Sequence, residues 1–138
     1  MLLLAAAAIG CGATGDPVRE TLDCIVRGAH DRDASAVMRR LAPDFQAADG
    51  SGRAETETLL RRYFAAYTKL DVSLQDVVIE RAENAARVRF RAVMSGQPAQ
   101  IGGLAGLLPS SATYDFDVRM SRDGSGWTVA WASWTPVS

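Results

Sequence analysis

The stretch Ala85-Ala86-Arg87-Val88-Arg89-Phe90-Arg91-Ala92-Val93-Met94 changes character at almost every step. Apolar side chains at 86, 88, 90, 92 and 94 alternate with Arg87, Arg89 and Arg91. A period of two becomes two separate faces only in an extended strand. One face is oily and the other charged, so the strand belongs to a sheet covered on one side. Downstream, Tyr114, Phe116, Val118 and Met120 alternate with Thr113, Asp115, Asp117 and Arg119 in the same way. Parity puts Asp115 and Asp117 on the arginine face, where cross-strand ion pairs on a wet surface are expected.

Working outward, Asp123-Gly124-Ser125-Gly126 reads as a hairpin loop, and Trp127, Val129 and Trp131 begin a last strand. Upstream, Leu70, Val72 and Leu74 alternate until Val77-Val78-Ile79 breaks the phase, which predicts a bulge. Glu83-Asn84 turns the chain. The predicted inward set is therefore Ala86, Val88, Phe90, Ala92, Met94, Tyr114, Phe116, Val118, Met120, Trp127, Val129 and Trp131.

Before residue 70 the period is helical. Asp16-Pro17 is a helix start, and Val18, Leu22, Ile25, Val26 and Ala29 form one stripe that Gly28 to Asp31 interrupts. Asp33 caps a shorter helix carrying Val37, Met38 and Leu41, which Pro43 closes. Phe45 to Ala48 reads as a short strand ending at the Asp49-Gly50 turn. From about Arg53 to Thr68 a third helix presents Leu59, Leu60, Tyr63, Phe64 and Tyr67 to the core. Helices followed by a meander of strands is an α+β order.

That order resembles the NTF2-like fold, also called SnoaL-like or cystatin-like. The matching pieces are the first helix running into RDASAVMRRLAPDF, then LLRRYF, ARVRFRAVM and GWTVAWASW. The resemblance covers Asp16 to Trp134 and implies a cone, with N-terminal helices packed in a strongly curved antiparallel sheet around a cavity. The GGLAGLLP insertion is similar to one in a group of proteobacterial lipoproteins. That group implies a fold and an address, with no activity attached.

The N-terminus points to the same address. Met1 to Cys11 carries no charged side chain, and its apolar run is far shorter than the roughly 20 residues that span a bilayer. It fits the h-region of a secretory signal, without the usual basic n-region. Ala8-Ile9-Gly10-Cys11 resembles a lipobox, so residues 1–11 read as a signal peptide with Cys11 lipidated. Residues 12–15 read as a tether, and 16–138 as the domain. The expected location is the cell envelope, facing the periplasm and lipid-anchored; an ordinary signal cut after Ala8 would give a secreted or periplasmic protein instead. With Cys11 lipidated, Cys24 has no cysteine left to pair with. A Cys11–Cys24 disulfide would require the segment to stay uncleaved.

Over 138 residues, Lys+Arg 15 against Asp+Glu 16 gives a net charge of −1. This excludes a basic nucleic-acid footprint, and the length prior gives one domain. His30 is the sole histidine, which leaves no imidazole pair for a metal site or proton relay. It reads as a solvated residue beside Asp31 and Asp33. Cys24 lies off the apolar stripe near Asp23 and Arg27 and reads as a partly buried structural thiol. No metal and no cofactor is expected.

In the ketosteroid-isomerase branch of this fold an Asp base works beside Tyr and a protonated Asp in an apolar pocket. Here no carboxylate of the late strands falls on the inward face. Asp44, which the resemblance places before a strand lining the cone, is the best remaining acid. The reading is therefore a binding or accessory module for a small apolar ligand, lined by Tyr63, Tyr67, Phe90, Met94, Tyr114, Trp127 and Trp131. The alternatives are an isomerase- or dehydratase-like enzyme using Asp44 with a pocket tyrosine, and a lipoprotein that binds a protein partner. In the last, Ile101, Leu104, Leu107 and Leu108, set among Gly102, Gly103 and Gly106, make the contact.

Overall fold

Asp16 starts the first helix through its own side chain, whose Oδ1 accepts from the backbone N–H of Val18 at 3.0 Å and of Arg19 at 3.4 Å. Its carboxyl is held below the usual carboxylate range, first by a hydrogen bond from Arg81 and then by these backbone donors. In the computed structural model, which describes residues 15–99, 110–124 and 126–137, this helix is α1 (Pro17–His30). It runs through the expected interruption at Gly28. That glycine lies where α1 meets α2 (Ala34–Met38): a β-carbon there would stand 2.8 Å from Val37 Cγ2. Between the two helices Arg32 adopts a left-handed φ of 53°. Its guanidinium donates to the Tyr67 carbonyl at 2.9 Å, tying the turn to the sheet.

The remaining elements are β1 (Leu41–Ala47), α3 (Arg53–Ala65), β2 (Tyr67–Arg81), β3 (Ala85–Pro98), β4 (Ser111–Asp123) and β5 (Gly126–Pro136). Leu41, expected in the second helix, instead opens β1, where it pairs with Val129. The third helix ends at Ala65 rather than Thr68, because Tyr67 and Thr68 already belong to β2. At its start the Glu55 carboxylate accepts from the Gly52 N–H at 2.9 Å.

The five strands form one sheet in the order β1-β5-β4-β3-β2. Its pairs are antiparallel except the outermost, in which β1 runs parallel to β5. The expected all-antiparallel sheet is thus corrected to a mixed one, since β1 enters from the helical half of the chain. The bulge expected in β2 lies between Gln75 and Val78, where Asp76 takes a φ of 55°. A second irregularity, in β5, was not expected. Arg119 pairs with Trp131 and Met120 with Val129, so Ala130 is one residue too many. From there on the inward parity of β5 is reversed.

The core lies between the helices and the concave face of the sheet. Val18 and Leu22 of α1 meet Val88, Phe90, Val118, Met120, Trp127 and Val129. A second cluster joins Ala34 and Val37 of α2 to Phe64, Tyr67 and Leu70. Cys24, expected to be a lone thiol, is buried and disulfide-bonded. The chain's other cysteine, Cys11, lies outside the described residues, as do the signal segment and tether.

Candidate functional site

α1 and α3 do not fill the concave face of the sheet, and a cavity of about 410 Å³ remains between them. α1 contributes Leu22, Ile25, Val26 and Ala29, the stripe visible in the sequence. α3 contributes Leu59, Leu60, Tyr63 and Phe64. Leu59, expected in the core, is 54% exposed and forms part of the rim. The sheet supplies Leu70, Val72 and Leu74 from β2, and Phe90, Ala92 and Met94 from β3. Tyr114, Phe116 and Val118 come from β4; Val129, Ala132 and Trp134 come from β5.

The sheet wall is aromatic. Phe90 and Phe116 stack at 5.1 Å between centroids with their planes 8° apart. Phe116 also meets Trp134 at 6.0 Å and the Tyr114 ring edge-on at 6.4 Å. Tyr63 faces this wall from α3, its hydroxyl 4.0 Å from Met94 Sδ and its ring 5.0 Å from that of Tyr67. Burial pushes the Tyr63 phenol up to about 12. The neighbouring Tyr67 and Tyr114 and a hydrogen bond with Tyr67 add to the shift, so the phenol stays protonated at neutral pH.

Of the site residues expected from sequence, Tyr63, Phe90, Met94 and Tyr114 line the cavity. Tyr67 is buried behind Tyr63, in contact with its ring but off the cavity surface. Trp127 lies in the core below, and its carbonyl accepts from Thr21 Oγ1 at 3.5 Å. Trp131 is a correction: the extra residue Ala130 turns it to the outer face, where Arg119 covers its ring at 4.7 Å. Trp134 takes the place expected of it. Sequence reasoning missed Trp134 and the α1 lining; the alternation Trp127, Val129, Ala132, Trp134 was visible only to a reading that allowed a second bulge.

No Asp, Glu, His, Lys or Arg is among the cavity-lining residues described. Asp44 is exposed and points away, while its neighbour Phe45 turns inward. Asp115 and Asp117 lie on the outer face. There Arg91 Nε donates to Asp115 at 2.8 Å, and Arg87 makes two bonds to Asp117, at 3.1 and 2.7 Å. These guanidiniums hold both carboxyls below the ordinary range. His30 Nε2 lies 3.2 Å from Asp71 and Nδ1 3.5 Å from Asp31, all three exposed. Among the described residues no group of three or more His, Cys, Asp or Glu is placed to hold a metal ion, and no helix is long and apolar enough to cross a membrane. Ile101, Leu104, Leu107 and Leu108 lie outside the described residues.

No protein-family model and no curated protein matches this sequence. Solved structures do match in shape. A protein described as a candidate scytalone dehydratase from Novosphingobium aromaticivorans superposes with a TM-score of 0.76 at 8% identity, over 88% of this chain and 83% of its own. A candidate dehydratase of the NTF2-like family from Streptomyces avermitilis gives 0.73 at 14% identity, over 88% and 94%. An NTF2-like superfamily protein from Salmonella enterica gives 0.71 at 14%, over 88% and 89%. At such identities the likeness speaks for architecture and not for chemistry. This chain has the NTF2-like fold, an α+β cone in which a curved five-stranded sheet wraps its N-terminal helices.

Proposed function

We propose that the domain is a non-catalytic binding or accessory module for a small apolar ligand, held at the cell envelope by a lipid on Cys11. The observation that carries the binding reading is the cavity itself. Its volume falls within the roughly 300–1,000 Å³ usual for ligand pockets, and its wall is almost wholly aliphatic and aromatic. Apolar guests enter such spaces because the wall offers water few partners. The isomerase- or dehydratase-like alternative pairs a pocket tyrosine with Asp44, and the exposure of Asp44, off the cavity wall, disfavours it.

The test uses N-phenyl-1-naphthylamine, an uncharged fluorophore, with the purified full chain. Its emission rises at one equivalent, and Ala92→Phe, which adds a ring inside the cavity, loses the signal while keeping its circular dichroism. Equal binding by Ala92→Phe and wild type overturns the assignment of the ligand to this cavity. Protein tryptophan emission gives a second readout. Probe binding quenches Trp134 on the cavity wall, so the quench disappears in Trp134→Phe and persists in Trp131→Phe.

The lipid reading rests on Ala8-Ile9-Gly10-Cys11. A lipid thioether and a disulfide exclude each other at one sulfur, and Cys24 is disulfide-bonded in the structure, so the lipid reading competes with that bond. Labelling with a clickable palmitate marks wild type and not Cys11→Ala. Equal labelling of the two removes the anchor.

A further inference from the structure

A second hollow, of about 300 Å³ and open to solvent, lies where the end of α3 passes the start of α2, and Arg32, Ala34, Arg61, Phe64 and Ala65 line it. Two of these side chains carry guanidiniums, and no acid is among the lining residues described. Arg32 stands where a glycine is usual. Its N–H donates to the Ala29 carbonyl at 3.1 Å and that of Asp33 to the Gly28 carbonyl at 2.8 Å, the pair of bonds that ends a helix on one left-handed residue. Glycine adopts that conformation without strain, whereas Arg32 holds a φ of 53° against its own β-carbon. The backbone alone thus gives no reason for a long cationic side chain at this position. The bond from Arg32 Nη1 to the Tyr67 carbonyl, at 2.9 Å, occupies one of its nitrogens. Among the described residues no partner holds Nε or Nη2.

Arg61 reaches the same hollow from α3. Glu57 Oε2 steadies it, accepting from Nε at 3.1 Å and from Nη2 at 2.7 Å, and leaves Nη1 without a partner among the described residues. Its Nη2 also lies 3.5 Å from the Ser35 hydroxyl, three residues beyond Arg32 in the chain. We propose that Arg32 and Arg61 bind the phosphoryl group of a phosphate monoester, whose organic part lies against Phe64 and Ala65. A tetrahedral dianion presents oxygens to both guanidiniums at once, while a flat carboxylate is matched by a single fork. Both side chains keep their charge across the physiological pH range, so the attraction waits on no protonation. The site stands apart from the apolar-ligand reading, because it shares only Phe64 with the cavity wall.

The experiment titrates the full chain with phenyl phosphate at pH 7 and low salt, followed by calorimetry, and one equivalent is expected to bind. Arg61→Gln and, separately, Arg32→Gly weaken it about ten- to a hundredfold, the loss of a charge-assisted hydrogen bond. Arg91→Gln removes the same charge from the outer face of the sheet and leaves the affinity unchanged. Benzoate binds about tenfold more weakly than phenyl phosphate, and phenyl phosphate leaves N-phenyl-1-naphthylamine in the cavity. Arg32→Gly also separates binding from structure: relief of the left-handed backbone offsets the lost Tyr67 bond, so the urea midpoint stays near wild type while affinity falls. No heat at about 10 mM phenyl phosphate, enough to fill most of a millimolar site, overturns the proposal. Equal losses in Arg61→Gln and Arg91→Gln reduce the effect to overall charge and overturn it too. Benzoate binding as tight as phenyl phosphate overturns the phosphoryl assignment, and displacement of the fluorophore puts the ligand in the cavity instead. Should Arg32→Gly misfold, Arg61→Gln decides by the same titration.

Discussion

The two faces of β3 are made by neighbouring residues and yet obey different physics. Val88 is fully buried between α1 and the sheet, while Arg87 and Arg89, one step away on either side, extend into water toward Asp117 and Glu80. At Val88, which is off the cavity, the cost of an error is set by shape and desolvation, because nothing packed around it can solvate a charge. On the outer face water and counter-charges replace whatever is lost. The molecule is therefore rigid in its chemistry on one side of a single layer and permissive on the other.

Substitutions can break that contrast, and the largest effect should come from Val88→Asp. An unpaired carboxylate at a fully buried site is expected to remove about 4 kcal/mol or more, a large part of the stability of a small domain. Urea denaturation would show it, and a midpoint near wild type would mean that the inner face is not the closed layer described. Next comes Gly96→Ala. A β-carbon there would lie 2.7 Å from the Lys69 carbonyl oxygen and 2.9 Å from Leu70 Cδ2 and Tyr67 Cδ1. The expected loss is about 1–3 kcal/mol by overpacking, together with weaker probe binding as Tyr67 pushes on Tyr63. A neutral effect on both would show that the β2–β3 pair opens there freely.

On the outer face the effects shrink. Arg119→Ala uncovers the Trp131 ring and should cost about 0.5–1 kcal/mol by the same measurement, with no change in probe affinity. A change in affinity would connect the two faces. Smallest of all is the acid response of the ion-pair rows. Asp115 and Asp117 have folded pKa values below the unfolded value near 4, so their contribution is complete above it and lost as the pH falls through the folded values. The Asp115→Asn/Asp117→Asn double variant should lose slightly less stability than wild type between pH 7 and pH 3. Parallel pH profiles would show that the pairs contribute nothing.

Most of this architecture was legible because it rests on periodicity. The stripe from Val18 to Ala29, the third helix, and the alternation of β3 and β4 follow from spacing alone, and so does the placing of Asp115 and Asp117 on the arginine face. The β2 bulge was legible too, since Val77-Val78-Ile79 cannot keep a period of two. What failed is what long-range pairing decides. Leu41 is an adequate helix residue until β5 offers it a parallel neighbour. Trp131 and Trp134 have the same side chain, and only the pairing of Arg119 and Met120 tells which of them faces inward. Asp44 looked like a candidate acid because of its place in the order of elements, but its exposed side of β1 takes it away from the cavity. The cavity was expected only through the resemblance and not from periodicity, because an apolar stripe reads the same whether the opposite wall touches it or stands back.

The surplus residue in β5 carries a consequence for how such a pocket can change. Ala130 acts as a phase shifter: removing it brings Trp131 and Trp134 into one uninterrupted alternation with β4, while another insertion beyond it would exchange the indole inside for its neighbours. The lining of this cone is thus written partly in strand length, and a one-codon insertion in β5 can re-tailor it without altering a single residue on the other four strands.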